Sequence, residues 1–287
     1  MLARTVLILL AALPLAAEAP FLNINPSWSP DGRRLVFQSD RNGVNTQLYV
    51  IDADGRNERR LSSHDASDTH PVWSPDGKWI LFDSDRGGAW NLYVIRPDGT
   101  GERKLTERGD SKGEAFARHP AWCAGGTKIV FDSDRDGNEE LYLMDADGTN
   151  PRRLTNSEER DSHASCSPDG KVLWGSRLGG MRSMDLDGTN VRQIAERGGA
   201  PKVSRDGRFI AYSASQEGGK PDLWVMNRDG SSPRNLTNDA FTSYEHAWSP
   251  DGRRLAYYSD DSGRFELYVI NADGTGRRQL TGSRAAR

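Results

Sequence analysis

Asn25, His70, His119, His163, Ala200 and Glu245 each stand three residues before one recurring position, which is held by tryptophan at Trp28, Trp73, Trp122 and Trp248. Imidazole and carboxylate are common ligands of divalent metals, so three histidines and a glutamate brought to one place could bind an ion. Ligands on separate segments would have to converge to about 2–2.2 Å from it. The expectation is therefore plainer: His-Pro belongs to a repeat, each imidazole bonds to backbone or water, and no metal or cofactor is implied. His64 and His246 fall outside this register and are expected on surface or loop.

A second candidate is a Ser-Asp-Arg signal, at Asp40-Arg41, Asp85-Arg86 and Asp134-Arg135, with Arg177 and Asp260 in divergent copies. Arginine grips carboxylates in bidentate fashion, so a ring of such loops could recognise an acidic peptide or a uronate. For any single pair the plainer reading is a loop cap with its arginine folded nearby. "DSDRDGN" from Asp132 imitates half of an EF-hand loop, but Leu143 stands where the bidentate glutamate belongs. No paired nucleophile and base is evident, G-x-S-x-G is absent, and no catalytic residue is assigned.

These candidates are positioned by repetition. "SPDG" or a degraded form has its third residue at Asp31, Asp76, Gly125, Asp169, Asp206 and Asp251, roughly 37 to 49 residues apart. A second Asp-Gly follows each, beginning at Asp54, Asp98, Asp147, Asp187, Asp229 and Asp273, then a basic stretch ending near Leu-Thr. This punctuation divides each unit into four short strands rich in β-branched and aromatic residues, with glycines suited to tight hairpins. In "RLVFQS", Leu35 and Phe37 face one way and Val36 the other; in "QLYVID", Leu48 and Val50 oppose Tyr49 and Ile51. Sheets apolar on both faces need cover on both sides, which a two-sheet sandwich does not supply. The expected fold is all-β: a six-bladed β-propeller of four-stranded antiparallel blades. The repeated tryptophans are then wedges between blades. The fourth unit, shorter by about four residues between its two signals, should be irregular. No strand shared by the first and last blades is evident, although Phe21 to Ile24 could pair there.

The chain has 287 residues and a net charge of −3, with acidic and basic residues interleaved, which excludes a nucleic-acid-binding field. Arg4 before the apolar run Val6–Leu15 and small residues thereafter has the layout of a secretory signal peptide. We assign 1–19 to that leader and 20–287 to the propeller, with no membrane span after cleavage. Cleavage after Ala17 remains an alternative, because Pro20 would follow a cut at Ala19. Cys123 and Cys166 occupy neighbouring but non-identical repeat positions, so two inert buried thiols are expected rather than a disulfide.

The phrase "HPVWSPDGKWILFDSDRGG…NLYVIRPDG…RKLT" resembles the propeller repeats of the TolB family, periplasmic proteins of the Tol–Pal envelope system. Similar repeats occur in oligopeptidase-type peptidases and in sugar-acting lyases, so the resemblance speaks for fold more than for function. TolB proteins carry an additional N-terminal α/β domain, and the peptidases a hydrolase domain. Neither is evident here, so a free-standing, monomeric propeller is expected. The resemblance implies a periplasmic, non-enzymatic module binding an envelope protein or peptide at the channel mouth, with a peptidoglycan-associated lipoprotein as natural partner. The candidate binding residues are His70, His119, His163 and Glu245 with the Ser-Asp-Arg residues Asp40, Arg41, Asp85, Arg86, Asp134, Arg135 and Arg177. The alternative is a metal-assisted lyase or hydrolase acting on acidic sugars in the channel.

Overall fold

The computed structural model describes residues 21–282, apart from 44, 108–115, 177–179 and 217–218. The assigned leader and Arg177 lie outside these residues. The described residues form six four-stranded antiparallel sheets, each built from four consecutive strands. In the first blade these are β1 (Asn23–Trp28), β2 (Arg34–Ser39), β3 (Gln47–Asp52) and β4 (Arg59–Arg60), running from the inner edge outwards. The inner strands of the other blades are β5 (Asp68–Trp73), β9 (Ala117–Cys123), β13 (Asp161–Cys166), β17 (Gly199–Val203) and β21 (Ser243–Trp248). No helix among the described residues is long and apolar enough to cross a membrane.

The turn motifs have direct physical causes. Ser29 Oγ accepts the Arg34 N–H at 3.0 Å and donates to Asp31 Oδ1, which in turn accepts the Arg33 N–H at 3.0 Å. The serine thus pins both ends of the hairpin, while Gly32 takes the left-handed φ of 68° that the turn needs. The second Asp-Gly serves contacts between blades. A Cβ on Gly148 would stand 2.2 Å from the carbonyl oxygen of Leu105 in the preceding blade. The corresponding Gly55 meets Leu280 across the junction of first and last blades. Arg278 extends the same junction by donating to the Ala53 carbonyl at 2.6 Å.

The core lies between blades. Val36, Leu48 and Val50 pack with Trp73, Ile80 and Phe82 of the second blade. Leu35, Phe37, Tyr49 and Ile51 pack with Ala256, Leu267 and Val269 of the sixth. The two-sided alternation is thus satisfied by a closed ring, and each fully buried Leu, Val or Phe contributes about 1.5–3 kcal/mol. Trp28 and Trp73 sit in these clusters, with Arg254 and Arg34 stacked 5.0 and 5.1 Å from their ring centres.

No described strand is exchanged between first and last blades. Phe21 and Leu22 precede β1, and Asn23 joins the last blade by single bonds, its N–H to the Phe265 carbonyl at 2.8 Å and its Nδ2 to Glu266 Oε2 at 2.6 Å. The fourth blade keeps all four strands, and its shortening falls between the second and third, where Ser176 pairs directly with Gly180.

The expectation of two inert thiols is corrected: Cys123 and Cys166 form a disulfide, with Cα atoms 5.2 Å apart. Cys123 lies one residue beyond the tryptophan position and Cys166 occupies it. The stagger between neighbouring inner strands brings the two opposite each other, and repeat alignment along the sequence does not reveal that sideways offset.

Candidate functional site

Each inner strand breaks its pairing at one place, where the register against the next strand shifts: between Ile24 and Ser27, Thr69 and Val72, Ser162 and Ser165, Gly199 and Lys202, and Tyr244 and His246. The third blade shifts likewise, opposite Val130 and Asp132. At every bulge sits one of the six residues singled out by spacing, with left-handed φ: Asn25 55°, His70 48°, His119 47°, His163 54°, Ala200 50° and Glu245 38°. A bulge leaves one residue unpaired and re-aims its side chain. In four blades the following residue is proline (Pro26, Pro71, Pro120, Pro201), which has no N–H to lose from the ladder.

Five of the six bulge residues, all but Ala200, line a central cavity of about 570 Å³ that extends from them to the Pro-Asp-Gly turns. Across blades two to four three imidazoles gather. The His70 and His119 ring centres are 4.2 Å apart, and those of His119 and His163 are 3.9 Å apart with nearly parallel planes. Buried carboxylates hold them. His70 Nδ1 bonds Asp83 Oδ1 at 3.0 Å and His119 Nδ1 bonds Asp132 Oδ2 at 2.6 Å, while the backbone N–H of His163 donates to the same Asp132 oxygen at 3.1 Å and its ring Nδ1 lies 3.1 Å from Ser162 Oγ. Glu245 Oε1 lies 3.6 Å from His163 Nε2.

Burial sets the protonation of the cluster. Desolvation, reinforced by the neighbouring His70, pushes His119 down to about 3. Desolvation and His119 push His163 down to about 4. Desolvation raises Asp132 to about 7 against the opposing pull of His163. Asp83 is equally buried, but His70, His119 and the Arg118 guanidinium, 3.4 Å away, outweigh burial and hold it below the ordinary carboxylate value. Both His119 and His163 are therefore neutral near pH 7, the form in which imidazole ligates metals. Ligand atoms of His119, Asp132 and His163 lie within 4.8 Å of one another.

Spacing alone missed several residues here. Asp83 and Asp132 come from second strands, where they share a face with buried Leu81 and Val130; a carboxylate in such a row marks a buried acid. Gln38 is their counterpart in the first blade, accepting from Asn25 Nδ2 at 2.8 Å and from the His70 N–H at 2.7 Å. His246 corrects the expectation of a surface or loop residue. It follows Glu245 within the bulge, is buried, and neither ring nitrogen makes a well-formed hydrogen bond. Burial pushes it down to about 4. His64 lies on a connecting loop, 2.8 Å from Asp68.

The Ser-Asp-Arg residues are brought to the other face of the ring, where the blades are connected, and none lines the cavity. Each described aspartate caps the entry to its own blade: Asp40 accepts from the Leu22 N–H, Asp85 from Ser67 and Asp134 from Phe116, at 2.7, 2.8 and 2.9 Å. Asp260 accepts from Thr242 at 2.7 Å. The arginines fold back over aromatic rings: Arg41 over Tyr49, Arg86 over Tyr93 and Arg135 over Tyr142, 4.5–4.8 Å from the ring centres. In the EF-hand-like segment the carboxylates diverge, Asp132 to His119, Asp134 to Phe116 and Asp136 to Tyr142.

Comparison with known proteins agrees with this architecture. The family described as TolB beta propeller domain matches residues 11–118 and 184–286. The uncharacterized protein Atu1656 of Agrobacterium fabrum is 33% identical over 97 residues, covering 32% of this chain and 33% of that protein. The chain thus matches only about a third of that relative's length. Among solved structures, TolB from Acinetobacter baumannii superposes with a TM-score of 0.70 at 20% identity, covering 93% of this chain and 64% of that one. An oligogalacturonate lyase in complex with manganese superposes with a TM-score of 0.60 at 15% identity, covering 91% of this chain and 77% of that one. At such identities these structures share the fold alone.

Proposed function

Since the chain belongs to the TolB β-propeller domain family, we propose that it is an exported, non-enzymatic binding module of the cell envelope, receiving a segment of a partner protein in its central cavity. The observation that carries this reading is the 570 Å³ cavity itself, walled by tryptophan, proline and small apolar side chains and reaching the Pro-Asp-Gly turns. Concave, largely apolar sites with a few converging polar groups are where ligands bind. Export to the periplasm is supported by the leader-like N-terminal sequence and by the Cys123–Cys166 disulfide, a bond favoured in oxidising compartments. The partner we propose is a peptidoglycan-associated lipoprotein, bound by a monomeric propeller.

Titration calorimetry with the soluble domain of such a lipoprotein tests this. Ala247 lines the cavity, and Ala247→Phe fills it. Affinity should fall at least tenfold while the unfolding midpoint stays within a few degrees. Equal affinity of wild type and variant, or no heat with wild type, would overturn the reading.

A second reading is favoured by one observation, the approach of His119, Asp132 and His163 donor atoms within 4.8 Å. These residues fit a divalent transition metal, which would supply Lewis acidity for lysis or hydrolysis of an acidic sugar. In that reading Asp83, through His70, orients the adjoining imidazole. Elemental analysis after loading with manganese or zinc decides it: one ion per chain, lost in His119→Ala, supports it, and substoichiometric metal excludes it.

A further inference from the structure

Six-fold repetition makes the cavity wall comparable position by position. Two residues after each bulge residue stand Ser27, Val72, Ala121, Ser165 and Ala247 in five blades, all small or apolar; the fifth blade has Lys202. At the outer end of the same wall, the first residue of each turn after the serine position is Pro30, Pro75, Ala124, Pro168 or Pro250; the fifth blade has Arg205. One blade thus departs from the pattern twice, three residues apart, and both departures place a cation on the cavity.

Lys202 and Glu245 interact through space, each favouring the other's charged form, but neither Lys202 nor Arg205 is tied down by a direct bond. No hydrogen bond or ion pair to the Lys202 ammonium or the Arg205 guanidinium exists among the described residues. Most other cations near the ring are engaged: Arg86 with Asp68 and Glu102, Arg118 with Asp83, Arg153 with Glu140, Arg277 with Asp239 and Asp261. Lys202 is half-buried, so its ammonium is partly desolvated, and burial lowers its pKa against the pull of Glu245. A partly buried ammonium with no direct hydrogen bond is costly even with Glu245 nearby, and a carboxylate arriving from outside would offset that cost. Arg205 is exposed where the wall ends.

We propose that the fifth-blade wall is an acid-recognition strip, on which Lys202 inside the cavity and Arg205 at its outer end bind carboxylates of an acidic peptide segment. This rests on the reading of the cavity as a protein-binding site and adds the chemistry of the segment it takes. Along an extended chain of about 3.3 Å per residue, side chains two apart point the same way. The strip therefore selects acidic residues in i, i+2 register, with the intervening side chains against the opposite wall. An acidic sugar meets the same cations, and Trp28 and Trp73 offer it no stacking face, being buried against neighbouring blades and under Arg254 and Arg34, whereas Trp122 and Trp248 are half-buried on the cavity wall, so oligogalacturonate is the competitor to test.

Fluorescence anisotropy at low salt tests the strip with labelled ten-residue peptides. One alternates Glu with Leu and Ala, its isostere carries Gln for Glu, and oligogalacturonate serves as competitor. Wild type should bind the acidic peptide at least tenfold more tightly than the Gln peptide. Lys202→Met and Arg205→Ala should each weaken the acidic peptide about fivefold or more and leave the Gln peptide unchanged. Arg205 is exposed, so its variant keeps the test sound should Lys202→Met unfold. Equal binding of both peptides, or indifference to both substitutions, overturns the acid strip while leaving the lipoprotein calorimetry to judge the cavity. Lys202-dependent binding of oligogalacturonate without binding of the acidic peptide overturns it in favour of a sugar.

Discussion

His246 makes the stability of the propeller fall on mild acidification, by an amount that can be worked out. Its ring is buried with no well-formed hydrogen bond, and burial outweighs Glu245 and the nearby Ala211 backbone to lower its pKa from 6.5 to about 4. A histidine with a depressed folded pKa stabilises the fold fully above its unfolded pKa, and that contribution is lost as pH falls towards the folded one. Between pH 7 and pH 4.5 the loss from this group is roughly 2.5 kcal/mol, at about 1.4 kcal/mol per tenfold change. His119 and His163 act in the same direction, from 6.5 to about 3 and about 4. Asp132 acts oppositely: raised to about 7, it binds its proton in the fold before the unfolded chain does, so acidification from pH 7 towards 3.8 favours the fold. One group thus opposes three, and the net trend is destabilising. His246→Leu separates one contribution from the cluster, since leucine needs no partner and does not titrate. Urea unfolding at pH 7 and pH 4.5 should show the variant losing about 2–3 kcal/mol less than wild type over that interval. Equal losses would mean that His246 is solvated or paired in the folded protein, and the argument from its burial would fail.

Other consequences follow from particular contacts. The Cys123–Cys166 bond closes a loop of 43 residues, so reduction, or Cys123→Ala with Cys166→Ala, should cost up to about 4 kcal/mol in denaturant unfolding; a midpoint insensitive to reductant would exclude the bond. Gly148→Ala should cost roughly 2–4 kcal/mol, because the new Cβ meets the Leu105 carbonyl at 2.2 Å in addition to the left-handed φ of 96°. Gly170→Ala, with φ 81° and nothing within 4 Å, supplies the backbone cost alone and should lose only about 1 kcal/mol. Asp85→Ala should lose about 1–2 kcal/mol of stability by orphaning the Ser67 N–H, yet leave lipoprotein affinity unchanged, because the cap lies away from the cavity.

The ring was legible because its cause is local. Leu35, Val36 and Phe37 alternate over distances the sequence displays directly, and only closed packing satisfies both faces. The bulge residues were legible for the same reason, as one position recurring in six units. Asp83 and Asp132 were not, because their role depends on a partner strand some thirteen residues away and on the burial of both faces. The disulfide was hidden because it depends on the stagger between blades, which no single repeat encodes. In the Ser-Asp-Arg loops the sequence displayed the charges but not their contacts: aspartate accepts a backbone N–H from the entry to its blade and arginine lies over aromatic residues of its own blade.

The six bulges show where the fold leaves choice to function. A left-handed φ at a residue other than glycine costs roughly 1–2 kcal/mol, and asparagine or glycine tolerates it best. Asn25 and the three histidines are of types that tolerate it comparatively well, whereas alanine and glutamate, once each, are not. Backbone geometry is conserved around the ring while side-chain chemistry changes from blade to blade, so the conformation alone does not dictate these residues. Conformational strain retained at repeated positions is informative when the groups it presents converge, and here it aims the histidines and Glu245 into one cavity. The fifth blade completes the contrast: its bulge residue, Ala200, is buried and does not line the cavity, and its cations stand further along the wall at Lys202 and Arg205. Chemistry in this ring is therefore divided by sector, imidazoles and buried acids on blades two to four and positive charge on blade five, an arrangement that orients an asymmetric ligand within a scaffold of nearly equal blades.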